Sequence, residues 1–306
     1  MAREFAALSE MELPPLPLEE WEDTKETLHR YCQIVGKTRM ELSPFRNHWW
    51  HVTLYVSPRG LTTGPIPFAA GAFEATLDLL ESRLVVTTSE NTGFDFCIED
   101  LPVGEFYSRF FAGLESVGIE ASINATPFDL DDDHALDANF VHGNCVPSYV
   151  QRYHRILLWT DQVFKEFAGR FNGKQSPVQL FWHSFDLALN RFSGRRTTLP
   201  EGTDPVTREA YSHEVISFGF WPGDAQVREP AFYSYTAPEP DDLTDQPLGV
   251  EAASWQEGGT ALLPYEAVRD SASPMATLLE FVQNAYLAGA RTAGWDIEDF
   301  STQPTR

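Results

Sequence analysis

Two stretches of the chain open alike: SPFRNHWWHVTLYVSPRG at Ser43–Gly60 and SPVQLFWHSFDLALNRFSGR at Ser176–Arg195. When their Ser-Pro pairs are superposed, Trp49 falls on Trp182 without a gap. In this register the apolar residues keep to one strand face in both stretches, because side chains alternate along a strand with a period of two. The repetition therefore predicts two similar strands, each within a similar unit.

The segments around both stretches follow one order. In the first unit, apolar spacing predicts a helix over Trp21–Val35 that Gly36 ends, a strand over Trp49–Ser57, further strands, and a helix with Phe106 and Phe110 on one face. The second unit repeats helix, strands and helix. We expect an α+β fold with internally duplicated units of helix, antiparallel strands and helix, at 20–122 and 150–296. They would pack about a pseudo-twofold axis within a single compact domain, 1–306.

The charge balance excludes two classes of partner. The 306 residues include 45 acidic and 22 basic side chains, for a net charge of −23. Such a field repels phosphate backbones and anionic lipids, so we expect neither nucleic-acid nor membrane binding. The N-terminus lacks the basic and apolar regions of a signal peptide, and three scattered cysteines are typical of reduced thiols. We therefore expect a cytoplasmic protein, and its oligomeric state stays open.

The faces opposite the apolar ones carry polar and aromatic residues. Such residues suit the lining of a small-molecule cavity, although a solvated sheet face with aromatic pairs would show the same sequence pattern. The predicted ligand-binding residues on these faces are Trp49, Tyr55, Trp182 and Ser184. His51 and Asp186 share the same faces, as do His213, Ser217 and Gly219 on a later strand.

The segment DPVTREAYSHE predicts a short helix before that later strand. Asp204 can cap it, and Pro205 suits its first turn, which brings Glu209 towards His213. Glu209 and His213 could bind a divalent metal (zinc, iron or manganese), with His51 or Asp186 completing the ligand set. Alternatively, Glu209 orients His213 as a general base, or the two form a hydrogen-bonded pair without a catalytic role.

Basic residues cluster at the end of the second repeated strand, in NRFSGRR. Arg191 and Arg195 are predicted to bind the charge of an anionic substrate, and salt bridges to acidic residues are the alternative. The acidic segment FDLDDDHALD between the units is predicted to be a solvated linker, because it lacks the central glycine of a calcium-binding loop. Motifs of serine hydrolases, Rossmann dehydrogenases, phosphate loops and zincin proteases are absent from the sequence.

Long segments of the chain resemble an uncharacterised bacterial family known as a domain of unknown function. They include NHWWHVTLYV, SFDLALNRFSGRR and REAYSHEVISFGFWPG, and the similarity extends over nearly the whole chain. The resemblance implies a stand-alone bacterial protein of about this length. It implies no reaction, cofactor or catalytic residue.

The sequence thus predicts an enzyme acting on a small anionic molecule, with Asp186 and His213 as catalytic residues. Its candidate class is a metal-dependent hydrolase or oxygenase with His51, Glu209 and His213 as ligands. A second hypothesis is a non-catalytic binding or sensing protein, in which Tyr233 and Tyr235 join the aromatic residues around an apolar ligand. A third is a structural partner protein.

Overall fold

The α+β class predicted from the sequence is confirmed in the computed structural model, which describes residues 11–130 and 132–302. The chain divides into two compact units. The N-terminal unit comprises residues 16–158 and 179–185, and the C-terminal unit comprises residues 159–178 and 186–302 together with residues 11–15. In the described ranges, no helix has both the length and the apolar character that a bilayer span requires.

The N-terminal unit combines two long helices with an antiparallel sheet. Its helices are α1 (Leu18–Leu42) and α2 (Val103–Ser116), and Tyr31 of α1 stacks on Phe106 of α2 with ring centroids 4.2 Å apart. The strand order is β1-β2-β4-β5-β6, with β3 paired to β4. These strands are β1 (Tyr55–Ser57), β2 (Gly60–Thr62), β3 (Ile66–Phe68), β4 (Gly71–Asp78), β5 (Arg83–Thr88) and β6 (Gly93–Cys97).

Helix α3 (Pro147–Ala168) divides between the units after Leu158. The short strand β7 (Gln179–Phe181) belongs to the N-terminal unit, where Leu180 forms a β-bridge with Leu54. The two residues exchange backbone hydrogen bonds of 2.8 and 2.9 Å. This bridge joins β7 to the sequence that precedes β1.

The C-terminal unit has an antiparallel sheet in the order β11-β12-β10-β9-β8. Its strands are β8 (Asp186–Arg196), β9 (His213–Trp221), β10 (Ala231–Ala237), β11 (Ser254–Trp255) and β12 (Ala261–Pro264). Its helices are α4 (Pro205–Ala210), α5 (Tyr265–Arg269), α6 (Pro274–Thr292) and α7 (Ile297–Phe300). One sheet face forms the core: Phe218 packs edge-on against Phe167 of α3, and Gly289 of α6 lies against Ile216 and Thr236.

Several predicted elements are confirmed, and three are corrected. The predicted stop at Gly36 is wrong, because α1 continues through this residue to Leu42. Gly36 instead lets the Trp182 ring approach the helix: a Cβ atom built on Gly36 would lie 2.1 Å from Trp182 Cδ1. The glycine therefore serves packing rather than termination.

The two repeated stretches are not continuous strands. In the first, Asn47–Trp49 forms a 3-10 helix in which His48 and Trp49 have left-handed φ angles of 56° and 60°, and the strand begins only at Tyr55. In the second, a turn separates β7 from β8, and Phe185 at its end has a φ of 59°. Left-handed residues interrupt the alternation of side chains that the prediction assumed.

Candidate functional site

Strands β8, β9 and β10 present a polar face opposite the core face of the C-terminal sheet. Gly219 of β9 pairs with Ala188 on one side and with Tyr233 on the other. Two residues along, Ser217 pairs with Asn190 and with Tyr235. The predicted grouping of small and polar residues on one face is thus correct for these strands.

The polar groups on this face form a row of hydrogen bonds, which we call the tyrosine row (Asp186, Tyr211, Ser217, Tyr233 and Tyr235). The Tyr233 hydroxyl donates a hydrogen bond to Asp186 Oδ2. The rings of Tyr233 and Tyr235 stack with centroids 6.0 Å apart, and the Tyr235 hydroxyl lies 3.1 Å from that of Tyr211. Ser217 belongs to the row through its place on the same face, where it pairs with Tyr235 across β9 and β10.

Glycine makes the row possible. The Tyr233 ring lies against Gly219, where an added Cβ atom would come within 2.3 Å of Tyr233 Cε1. A larger residue at position 219 would therefore push the ring away from the sheet and from Asp186. The row depends on the Gly219 backbone as much as on its own polar groups.

Burial sets the protonation of the row. Desolvation and the Asp186 carboxylate raise the pKa of Tyr233 well above its ordinary value, and desolvation and Tyr211 do the same for the pKa of Tyr235. Both phenols are therefore neutral hydrogen-bond donors at neutral pH. Asp186 is only 8% exposed, and with Tyr233 as its donor it is oriented to accept a proton or a hydrogen bond.

The two predicted catalytic residues do not meet at one centre. Leu187, next to Asp186, pairs with Phe220, whereas Arg196 pairs with His213 at the other end of the ladder. Seven residue steps along β9 separate Phe220 from His213, so at about 3.3 Å per residue the two ends are roughly 23 Å apart. Asp186 and His213 therefore cannot bind the same metal ion or act on the same bond, which corrects that part of the prediction.

The predicted short helix and cap before β9 are confirmed. The Asp204 side chain accepts hydrogen bonds from the backbone amides of Val206 and Thr207, at 2.9 and 3.0 Å, and Pro205 opens α4. This turn brings Glu209 near enough to His213 for the carboxylate to favour the protonated imidazole. His213 Nδ1 also lies 3.1 Å from the Ser212 hydroxyl.

The surroundings of His213 favour its neutral form. Burial lowers the pKa of His213, and the positive charges of Lys174 and Arg196 lower it further, against the opposing effect of Glu209. Burial also lowers the pKa of Lys174, whose ammonium lies 4.9 Å above the Phe192 ring. A neutral imidazole beside a carboxylate can serve as a base or as a metal ligand.

The two predicted anion-binding arginines differ in their surroundings. Arg191 is 1% exposed on the core face, where its guanidinium carbon lies 3.6 Å above the Phe167 ring and 4.6 Å from the Tyr286 ring. It donates to the Phe167 carbonyl at 2.6 Å, and burial lowers its pKa to about 9. These contacts favour a structural role for Arg191.

Arg195 matches the salt-bridge alternative. It is half-exposed and pairs with Glu214 at 2.7 Å, and it donates to the carbonyl of Ala293 at 2.6 Å. Trp295 Nε1 donates to the same Glu214 carboxylate at 3.0 Å. Arg195 thus ties β8 to the end of α6, and its role as a substrate anchor stays a prediction.

The remaining predicted ligand-binding residues lie in the N-terminal unit. Trp182 is buried against Gly36, and its Nε1 donates to the Val52 carbonyl at 2.8 Å. Ser184 lies on the turn between β7 and β8, not on a strand face. The carbonyl of Trp182 lies 2.8 Å from Nε2 of the buried His29, so this turn is held by α1.

His51 is buried within an aromatic loop. Its ring stacks on that of Trp49 with centroids 5.6 Å apart, and it lies 5.1 Å from the Phe45 ring at a tilt of 59°. The Arg46 amide donates to His51 Nδ1 at 3.2 Å, which places the proton of the neutral ring on Nε2. That tautomer has no lone pair at Nε2, so metal binding by His51 would require it to give up this hydrogen bond, and its role as a ligand stays a prediction.

Tyr55 contacts a buried cation. Its hydroxyl lies 3.3 Å from Arg39 Nη2, and the guanidinium carbon of Arg39 lies 4.8 Å from the centre of its ring. Tyr55 is among the residues predicted from the sequence, but Arg39 is not, because nothing in the local pattern distinguishes it from the other basic residues of α1. Tyr211 is not predicted either, since it joins the row only through the turn after α4.

The acidic linker holds a compact group of potential metal ligands. Among the described residues, one group has its potential ligand atoms within 4.8 Å of one another: Asp132, Asp133 and His134. Asp132 is already paired with Arg30 at 3.1 Å, and Asp133 and His134 are exposed. The group is therefore a partly neutralised surface cluster.

Comparison with known proteins identifies the family. The sequence profile of a family of unknown function, DUF5996, matches residues 13–302. The chain belongs to this family. The predicted resemblance to a domain-of-unknown-function family is thereby confirmed. No curated protein and no solved structure matches the chain.

Proposed function

We propose that this DUF5996 protein is an enzyme that binds a small polar molecule against the tyrosine row and accepts a proton from it through Asp186. The hydrogen bond from the Tyr233 hydroxyl to the Asp186 carboxylate is the observation that carries the proposal. A carboxylate held by a neutral phenol is already oriented for proton transfer, which lowers the entropic cost of the step.

The phenols would bind and orient the substrate. Because Tyr233 and Tyr235 remain protonated, they donate hydrogen bonds and do not act as bases. A molecule with carboxylate, carbonyl or hydroxyl oxygens suits such donors. Asp186 then accepts the proton, and Tyr233 stabilises whichever oxygen carries the negative charge.

Binding and turnover should respond differently to two substitutions. A panel of small carboxylic acids, polyols and phosphate monoesters is screened by calorimetry, and products are followed by mass spectrometry. We expect Tyr235→Phe to weaken binding of a hit, and Asp186→Asn to abolish turnover. Tyr107→Phe, on α2 of the other unit, is the matched control. If a hit binds and reacts equally with Asp186→Asn, Tyr235→Phe and wild-type protein, the proposal is wrong.

A non-catalytic binding or sensing protein is the second candidate. The stacked pair Tyr233–Tyr235 favours it, because aromatic rings and hydroxyls can grip a ligand without any reaction. Binding that depends on Tyr235 without any conversion of the ligand would support this candidate over the enzyme.

The metal-dependent form of the enzyme rests on Glu209 and the neutral His213. The metal, zinc, iron or manganese, would supply Lewis acidity to a hydrolase or oxygenase. Elemental analysis of untagged protein tests this, with His213→Ala and Glu209→Ala beside His134→Ala. Metal lost only with His134→Ala would place the ion in the acidic linker and contradict the proposed ligands.

The finer architecture and the setting are proposals as well. The internal duplication about a pseudo-twofold axis is supported by the repeated Ser-Pro and Trp positions and by the common order of helix, antiparallel strands and helix. The net charge of −23 supports the absence of nucleic-acid and membrane partners. The cytoplasmic location rests on three cysteines that are free thiols.

A further inference from the structure

Arg39 is a buried cation of the N-terminal unit. It is only 7% exposed, and within residues 11–130 and 132–302 no aspartate or glutamate forms an ion pair with it. Its Nε and Nη1 atoms are buried and donate to no residue in these ranges, so its one hydrogen bond goes from Nη2 to the Tyr55 hydroxyl.

Other buried arginines of the chain have their charge compensated. Arg30, on the same helix, pairs with Glu26 at 2.7 Å and with Asp132 at 3.1 Å. Arg191 also lacks a carboxylate, but four aromatic rings surround it and a backbone carbonyl accepts from it. Arg39 contacts one aromatic residue, Tyr55, through both its ring and its hydroxyl. No carboxylate of the described residues pairs with it, although the chain has 45 acidic residues.

Local contacts compensate this charge only in part. Arg39 lies in the last turn of α1, where the helix dipole favours a cation by about 0.3–1 kcal/mol. Its cation–π contact with Tyr55 contributes about 0.5–2 kcal/mol. Removing a cation from water costs several kcal/mol, so an anion is the partner that would balance it. Water would satisfy the N–H groups but not the charge.

We propose that Arg39 and Tyr55 bind the oxyanion group of a small molecule, a carboxylate or a phosphate. The guanidinium supplies N–H donors on two nitrogens that have no other protein acceptor, and the Tyr55 hydroxyl can turn to donate as well. All groups of this site belong to the N-terminal unit, whereas the tyrosine row belongs to the C-terminal unit.

Tyr55 is held in place by its strand. It opens β1 and pairs with Thr62 of β2, and Gly64 lies beside its ring, where an added Cβ atom would come within 3.9 Å. The phenol is thus held at the end of α1 by its strand, and Gly64, which has no side chain, does not crowd its ring. Such fixed donors lower the entropic cost of binding an anion.

The test measures binding of acetate and of inorganic phosphate to the full chain by calorimetry and thermal unfolding, with ionic strength held constant by chloride. We expect one or both anions to raise the unfolding midpoint beyond the chloride control, increasingly with concentration. Arg39→Lys, which keeps the charge but loses the planar donor fork, should weaken binding at least tenfold. Tyr55→Phe should weaken it severalfold.

Arg109→Met is the control, because Arg109 is an exposed arginine of the same unit that pairs with Glu105. Its anion affinity should equal that of the wild type. Stronger binding of acetate than of phosphate would identify a carboxylate ligand, and the reverse order a phosphate ligand. The proposal is overturned if neither anion stabilises the protein beyond chloride, or if Arg39→Lys and Tyr55→Phe bind as tightly as the wild type.

Discussion

Replacing Gly36 by alanine should destabilise the protein, although alanine is the better helix former. Within a helix, alanine is favoured over glycine by about 1 kcal/mol. The new methyl group would, however, lie 2.1–2.5 Å from three atoms of the Trp182 ring, which must move. Overpacking of this kind costs about 1–3 kcal/mol. Displacing the ring also breaks its 2.8 Å hydrogen bond to the Val52 carbonyl, which costs about 1 kcal/mol. The expected net loss is about 1–3 kcal/mol, since the gain in helix propensity offsets part of the cost.

A double-mutant cycle separates the two effects. Trp182→Ala alone should cost about 3–5 kcal/mol, as expected for a large buried aromatic residue. In that background the methyl group of Gly36→Ala no longer clashes with an indole ring, so the substitution should instead stabilise the protein by up to about 1 kcal/mol. The assay is urea unfolding, monitored by circular dichroism, of the wild type, the two single variants and the double variant. A stabilising effect of Gly36→Ala in the wild type, or the same effect in both backgrounds, would refute the packing argument.

Two further predictions concern buried basic side chains, His29 and Arg191. Burial lowers the pKa of His29 to about 4, so this histidine is neutral in the folded state while its unfolded form protonates near its ordinary value of 6.5. The unfolded state therefore binds more protons between these values, and up to about 3 kcal/mol of stability should be lost as the pH falls from 6.5 to 4. Denaturation midpoints across this range should fall less steeply for His29→Gln, and equal slopes would contradict the assignment. Arg191→Lys should destabilise by about 2 kcal/mol or more, because an ammonium replaces a stacked guanidinium that donates at 2.6 Å to a carbonyl. Arg195→Lys, at a half-exposed site, should change stability by less than about 1 kcal/mol in the same urea assay. An equal effect of the two substitutions would mean that the aromatic cage around Arg191 contributes little.

Local chemistry determined what the sequence predicted correctly. The Asp204 cap and the proline after it specify α4 within a few residues. The alternation in His213–Trp221 likewise specifies β9 and places Ser217 and Gly219 on its polar face. These signals act between neighbours along the chain, so they can be read without knowing the fold.

Contacts between residues far apart in the chain decided the rest. Gly36 looks like a helix stop until Trp182 fills the space beside it. Asp186 and His213 look like partners until the antiparallel register places them at opposite ends of β8 and β9. Nothing in the sequence distinguishes Arg39 from other arginines. It stands apart because it is buried and no carboxylate of the described residues pairs with it. Periodicity records which face of a strand or helix a residue occupies, whereas register and burial depend on which segments pack together. The sequence by itself therefore determined the class of fold and the polar strand face, and the tertiary structure decided which of the candidate residues meet.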